Sequence, residues 1–415
     1  MPTPETVTSS NVPTLASLAQ GRNMLAIPGP SIVPDAVLAA MGRPITNIYD
    51  GEVADLSWSL VADLPKVVRT EGHGFVAIGN GHGAWEMALS NTLSLGDKVL
   101  VIGSGQFGTI WASFCEQLGL DVEVLPAPSP RHPVDPATVA DRLAADSQHE
   151  LKGLLVCHVD TGSGVRADLA AIRAAMDSAN HPALLFVDGM ASIGCERFEM
   201  DALGVDVAIA ASQKGLMAPP GLSFVWASAK AIEAHEQADL VTPYWSWTPR
   251  MSGGPHYLLF AGTPPVSHLY GMRVALDLLF DEGLDHVWWR HEMLADAVRA
   301  AVEAWSTPDG LEFQVVDPAA RSNAVTGVMT NSIDSPAFQQ RCTEATNLTL
   351  GLGLGHPDDR FRIGHMGHLN PPMILGTLTT IESVMLALDL PMGGSGAAAA
   401  AASIGQALAQ GTSHA

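Results

Sequence analysis

Between Lys98 and Trp226 the chain repeats one unit: a short apolar run, a break of small or polar residues, then a stretch of helical periodicity. The runs are Lys98 to Ile102, Val122 to Leu125, Leu151 to His158, Ala183 to Val187, Val205 to Ala210 and Leu222 to Trp226. Helical patterns between them include Thr109 to Leu118, Pro136 to Ala145 and Leu169 to Ala179. Continuous apolar runs of this length predict strands buried on both faces, and the intervening helices predict parallel crossovers. The chain is therefore expected to be α/β, with a mostly parallel sheet covered on both sides. Only a loop with Lys214 and the Pro219-Pro220-Gly221 turn separates the last two runs, so that pair is expected to be antiparallel. Ligands of such sheets bind at the carboxyl ends of the strands. Those ends carry Gly103-Ser104-Gly105, Asp160-Thr161, Asp188 and Ser212-Gln213-Lys214.

Lys214 and Asp188 carry the clearest chemistry. Burial at a strand end lowers a lysine pKa and makes a nucleophilic amine. Asp188, closing the preceding run, offers a carboxylate in the same crevice. Pyridoxal phosphate uses that pair: the lysine holds its aldehyde as a Schiff base, and the aspartate keeps its ring nitrogen protonated. Taken singly, either residue reads equally as a surface lysine or a helix-capping aspartate.

Two glycine-rich loops compete for a phosphate. Gly79-Asn80-Gly81-His82-Gly83 precedes a helical stretch, Ala84 to Thr92. Small residues at a helix start let backbone N–H groups approach an anion, although a plain N-cap turn has the same composition. Gly103-Ser104-Gly105-Gln106-Phe107-Gly108 is a full GxGxxG between strand and helix, with Glu123 twenty residues on. That is the fingerprint of a nicotinamide-dinucleotide site, and an NAD-dependent oxidoreductase is the alternative it supports. In the other reading, Phe107 stacks on a flat cofactor ring while the glycines turn the chain beneath it.

Composition narrows the partners. The 415 residues suffice for two domains, and 47% hydrophobic against 15% charged residues predicts large buried cores. A net charge of −22 argues against nucleic acid or an anionic membrane as partner. Cys115, Cys157, Cys195 and Cys342 are widely spaced and read as free thiols in a reducing, cytoplasmic compartment. Residues 1–23 read as a polar arm rather than a signal peptide, and no stretch reaches membrane-span length. The Ala-rich tail from Gly393 reads as a last helix. His158, His365 and His368 lack metal-ligand spacing; His158 reads as a packed strand-end residue, the other two as pocket lining. Tyr244-Trp245-Ser246-Trp247 reads as core or subunit interface.

From Ile27 to Leu390 the chain resembles the class V aminotransferases of fold type I, in the alanine–glyoxylate and serine–glyoxylate group. The resemblance rests on Ile27-Pro28-Gly29-Pro30-Ser31, the loop Gly79 to Gly83, Gly105-Gln106-Phe107-Gly108 and His158 to Gly164. It continues in Asp188-Gly189-Met190-Ala191-Ser192, Ser212-Gln213-Lys214-Gly215, Gly262-Thr263-Pro264 and Arg362-Ile363-Gly364. After the helical stretch Val266 to Ala304, the patches Phe313 to Val316 and Asn323 to Met329 and the run Phe361 to Gly364 read as further strands, which sets a smaller domain at 300–415 beside a large domain (36–299) and an N-terminal arm (1–35). The resemblance implies a seven-stranded, mostly parallel sheet in the large domain and an α+β C-terminal domain. It also implies pyridoxal 5'-phosphate. Lys214 resembles the Schiff-base lysine and proton shuttle, and Asp188 the partner of the ring nitrogen. Thr161 is similar to the hydroxyl that bonds the cofactor, with Met190 on the ring face opposite Phe107. The resemblance further implies phosphate donors from the Gly81 and His82 backbone and from Gln213. Thr263 would reach the phosphate of the neighbouring subunit, making a homodimer part of the site. Arg362 resembles the substrate-carboxylate clamp, with Ser31 and Tyr49 also at the substrate.

Some positions depart from the family pattern. Phe260 stands where a phosphate-binding tyrosine is common, and Asn47 to Glu52 replaces a His-Arg segment. Tyr49-Asp50 and Arg362 to Gly367 resemble the pyridoxamine–pyruvate aminotransferases of the same group, whereas Asn80 replaces the glutamate expected there. The resemblance implies ping-pong transamination between a small amino acid, serine or alanine, and a small 2-oxo acid, glyoxylate or pyruvate. A lyase or desulfurase of the same fold would want a cysteine on a mobile loop, and Cys342 lies in a helical pattern.

Overall fold

Two sheets organise residues 18–411, the part of the chain described by the computed structural model; residues 1–17 of the expected arm and 412–415 of the tail lie outside it. The strands are β1 (Met24–Ala26), β2 (His73–Gly79), β3 (Lys98–Gly103), β4 (Asp121–Pro126), β5 (Leu151–Cys157) and β6 (Leu184–Asp188). After them come β7 (Val207–Ala211), β8 (Gly221–Ala227), β9 (Glu312–Phe313), β10 (Val325–Met329), β11 (Leu348–Leu352) and β12 (Arg360–Gly364). Seven form one sheet in the order β2-β8-β7-β6-β5-β3-β4, and five form a second in the order β1-β11-β12-β10-β9. In the large sheet β8 alone runs against the others, pairing antiparallel with both β7 and β2. The fold is therefore α/β, seven-stranded and mostly parallel, beside a smaller mixed sheet.

The central strands explain the register. Every residue of β6 and β7 is buried, whereas the edge strand β4 is largely half-exposed. Helices on both faces, among them Gly105–Gln117, Pro136–Ala145 and Leu169–Ser178, seal the sheet. Burying one side chain such as Leu154 or Phe224 contributes about 2–3 kcal/mol, and both are almost fully removed from solvent. Helix starts are marked by the side chains that cap them: Asp135 accepts from the Ala137 N–H and Asp168 from the Ala171 N–H.

The second sheet packs on the long helix Leu284–Trp305, which runs unbroken between the two cores. Val287 belongs to the core of the large sheet, while Leu294 through Trp305 face the small one together with Ala26 of β1. The last helix, Gly396–Gly411, lies along it; a Cβ on Gly396 would fall 2.4 Å from the Trp305 indole. The segment expected as a strand from Phe313 to Val316 pairs only over Glu312–Phe313. Arg131 accounts for the difference, because its guanidinium donates to the carbonyls of Phe313 (2.8 Å) and Gln314 (2.9 Å). Strands β1, β2 and β11 are not among the strands read in the sequence. Glycines explain β2, where Gly74 and Gly79 dilute the pattern because Leu64 and Ser223 occupy the space of a side chain.

Candidate active site

The loop after β7 turns Lys214 into a closed pocket. Ser212 makes the turn, its hydroxyl donating to the Pro219 carbonyl at 2.6 Å. The segment Ile27 to Ser31 grips the loop from the other side: Ser31 N–H donates to the Gln213 carbonyl (2.8 Å) and Ser31 Oγ to the Lys214 carbonyl (2.7 Å). Lys214 Nζ donates to the Pro28 carbonyl at 2.5 Å. Gly29 passes so close that a Cβ would lie 2.5 Å from that nitrogen, and its φ of +101° is one that glycine adopts readily. Burial, then the positive charge of Arg362, lower the Lys214 pKa to about 8, against the opposing pull of Asp188.

Asp188 ends β6 one strand away. Its Oδ1 accepts from the Met190 N–H at 2.8 Å and its Oδ2 from the Trp85 indole at 3.0 Å. Complete burial pushes its pKa up to about 6, while these two donors pull it down. Lys214, Asp188, Thr161, Met190, Phe107, Gln213, Gly81 and His82 line a single cavity of about 210 Å3. The sequence-derived cluster therefore converges. Larger depressions, such as the one of about 450 Å3 around Arg166 and Arg197, gather no comparable nucleophile and carboxylate.

The wall beside the cavity is the helix Gly81–Ser90. Asn80 caps it, its Oδ1 accepting from the N–H groups of His82 (3.1 Å) and Gly83 (3.3 Å). The His82 donor is thus already engaged, and the N–H of Gly81 is the one this cap leaves. The His82 ring packs on Trp85 and Phe114, and burial lowers its pKa. Trp245 covers the outside, 2.9 Å from where a Gly83 Cβ would stand. The aromatic stretch is thus packing: Trp247 is buried and the Tyr244 hydroxyl donates to the Ile78 carbonyl at 3.3 Å.

Arg362 on β12 approaches from the small sheet. Its Nε donates to the Leu352 carbonyl (2.5 Å) and its Nη1 to the Thr161 carbonyl (2.6 Å); Nη2 has no acceptor among the described residues. Burial lowers its pKa to about 10, and Asp160 opposes that shift. Asp160, which the sequence reading left without a role, accepts from the N–H groups of Phe107 (2.7 Å) and Ser163 (2.8 Å). It thereby ties the Phe107 turn to the Thr161 turn. Trp85 was likewise missed, because a tryptophan inside a helical pattern carries no signal of its indole partner.

Other expected residues lie elsewhere in the isolated chain. Tyr49 is 74% exposed and Thr263 is exposed, both away from the Lys214 cavity. Phe260 is buried in the core of the large sheet. His158 is packed at its strand end as expected. His365 and His368 do not line the pocket. His365 is buried between Thr326 Oγ1 and the Asn323 carbonyl, each at 2.9 Å, and His368 is exposed. The four cysteines are free and buried. Among the described residues no cluster of three His, Cys, Asp or Glu could hold a metal ion, and no helix is long and apolar enough to cross a membrane.

The GxGxxG loop has a packing explanation. A Gly105 Cβ would fall 2.3 Å from the Asp160 carboxyl carbon, and a Gly108 Cβ 2.8 Å from the Ile102 carbonyl oxygen. Ser104 Oγ is turned to the Val134 N–H, and Glu123 is held by Arg142 at 2.5 Å. By contrast, the Lys214 cavity fits pyridoxal phosphate. Among the described residues neither Gln213 Oε1, which is buried, nor the Thr161 hydroxyl has a partner, and Asp188 retains lone pairs for a protonated ring nitrogen.

Comparison with known proteins agrees. The family model for class-V aminotransferases matches residues 77–356. The chain is 40% identical over 394 residues to serine–glyoxylate aminotransferase of Methylorubrum extorquens, covering 93% of this chain and 96% of the relative. It is 38% identical to L-aspartate–glyoxylate aminotransferase of Paracoccus denitrificans, covering 91% and 95%. Among solved structures, pyridoxamine–pyruvate aminotransferase of Mesorhizobium loti superposes with a TM-score of 0.84 at 28% identity, covering 92% and 97%. With a strand-end lysine, a buried carboxylate and these relatives, the chain belongs to the class V aminotransferases, enzymes that use pyridoxal phosphate.

Proposed function

We propose that this enzyme moves the amino group of a small amino acid, serine or alanine, to glyoxylate. The observation that carries the reading is the single guanidinium of Arg362, buried and electrostatically coupled to Lys214, with one nitrogen unspent. A guanidinium with one nitrogen left to donate pairs with a single carboxylate. A substrate with one carboxylate satisfies it, and the serine–glyoxylate relatives act on such substrates by name.

Pyridoxal phosphate, when bound, supplies a carbonyl carbon for the amino group and a ring that takes up the electron pair released at the substrate Cα. Lys214, with its pKa near 8, takes and returns the Cα proton through Nζ. Asp188 would hold a proton on the ring nitrogen through its carboxylate. Thr161, Gln213 and the Gly81 N–H would hold the cofactor's polar groups, and Phe107 and Met190, which line the same cavity, would pack on its ring. Arg362 fixes the substrate carboxylate and thereby presents Cα. Ser31 keeps the Lys214 loop in place. Thr263 and Tyr49, exposed in one chain, would complete the neighbouring site in a homodimer.

A panel of amino donors with glyoxylate as acceptor tests the assignment, with 2-oxo acid formation as readout. Serine or alanine is expected to exceed aspartate by tenfold or more in kcat/KM; equal or faster turnover of aspartate would refute the one-carboxylate reading. Lys214→Ala is expected to reduce turnover below about a thousandth. Pyridoxamine with pyruvate belongs in the same panel because of the shape match to the Mesorhizobium loti enzyme.

A further inference from the structure

The Asp188 carboxylate is fully buried and, among the described residues, has only neutral donors to hold it: the Met190 backbone N–H on one oxygen and the Trp85 indole on the other. We infer that Trp85 is a positioning residue, whose indole N–H keeps the Asp188 carboxylate ionised and turned toward the cofactor ring. This rests on Asp188 being the partner of the ring nitrogen.

The geometry is built rather than incidental. Trp85 lies on the helix Gly81–Ser90, 1% exposed, with its ring stacked on Trp111 at 5.6 Å and 14° between planes. Phe114 meets it edge-on at 5.5 Å, and the His82 ring lies tilted against it at 4.7 Å. These rings leave the indole no freedom to swing away. A hydrogen bond from a neutral donor to a buried carboxylate is charge-assisted and stronger than a neutral one. Removing it leaves Asp188 with the Met190 N–H alone while its desolvation is unchanged, so the carboxylate takes up a proton more readily. A protonated Asp188 cannot hold the positive charge on a ring nitrogen.

Trp111 supplies a matched control. Its indole is stacked in the same pair and equally buried, but its Nε1 has no hydrogen-bond partner among the described residues. Trp85→Phe and Trp111→Phe therefore remove the same volume from adjacent places, and only the first removes a bond to Asp188; because Trp85 also borders the Lys214 cavity, the pH profile is the readout that separates the lost bond from lost packing. With Trp85→Phe, kcat is expected to fall tenfold to a hundredfold, with KM for the amino donor within about twofold. The acid limb of the pH–rate profile is expected to move up by about one unit, and pyridoxal phosphate to dissociate from the protein at least tenfold more readily. Trp111→Phe is expected to stay within about threefold on each measure. If the two variants match in pH profile and cofactor retention, the inference is overturned. Asp188→Asn separates the premise: if it leaves turnover and cofactor retention intact, the reading of Asp188 itself is wrong.

The wild-type protein offers a measurement that does not depend on Trp85→Phe folding. With 15N-labelled tryptophan, the apoprotein is expected to show, among signals from nine tryptophans, an indole proton shifted downfield that titrates with Asp188 and moves in Asp188→Asn. Indole spectra identical between wild type and Asp188→Asn would overturn the inference.

Discussion

The two glycine-rich loops of the large sheet, residues 79–83 and 103–108, need glycine for different reasons. In the first, a Cβ at any of the three glycines would meet side chains: Ser223 at Gly79, Met190 at Gly81 and Trp245 at Gly83. In the second, the obstacles are mostly backbone and a fixed carboxylate: the Val124 side chain and the Leu125 carbonyl near Gly103, Asp160 at Gly105 and the Ile102 carbonyl at Gly108. The first loop borders the Lys214 cavity and opens a helix toward it. The second lets a helix settle onto its own sheet while Phe107 alone enters the cavity. Glycine spacing reports that something comes close, whether ligand or backbone, and only the neighbours decide which.

The sharpest test is Gly105→Ala. Its φ of +82° and its contact with Asp160 predict a loss of about 3 kcal/mol or more, read as a large fall in melting temperature or no soluble protein. A stable, active variant would break the comparison.

The chemistry of the first loop's pocket gives the next effect. Covalent capture of pyridoxal phosphate by the apoprotein needs Lys214 unprotonated, and its pKa is lowered to about 8. Below that value the capture rate should rise roughly tenfold per pH unit, flattening above it. Continued steep rise to pH 10, followed by stopped-flow absorbance, would show an ordinary lysine.

Gly81→Ala presses on the flexible Met190 thioether, 3.0 Å from the new Cβ, so the fold should yield cheaply. Cofactor affinity is expected to fall about tenfold while stability changes by less than about 1 kcal/mol. Asn80→Ala removes the cap on His82 and Gly83 and should cost about 1 kcal/mol in denaturant unfolding. The smallest effect belongs to Glu123→Gln. Its partners Arg142 and Lys98 hold a carboxylate that is a third exposed, so the loss should stay below about 1 kcal/mol. Added NAD should leave the melting temperature of wild type and variant unchanged; a rise in wild type only would revive the dinucleotide reading.

Legibility in the sequence followed burial. Strands β3, β5, β6 and β7, covered on both faces, are continuous apolar runs, and their ends display Asp188 and Lys214 directly. Strand β2 was harder to read, since glycines required by Leu64 and Ser223 interrupt its pattern. Strand β1 has three residues and pairs with β11, more than three hundred positions away. Asp160 and Trp85 escaped notice because their work is a contact with a residue 53 or 103 positions distant. Resemblance to a family supplied Thr161, Gln213 and Arg362, none of which has a periodicity of its own.

By itself the sequence determined the alternation of strand and helix, and with it which residues stand at strand ends, because apolar periodicity is a local consequence of burial. Only the tertiary structure decided what surrounds those residues. The Pro28 carbonyl on Lys214, the indole on Asp188 and the Thr161 carbonyl on Arg362 are long-range contacts. They are made by segments that folding alone brings together, and they set the charge and direction of groups whose identity the chain already declares.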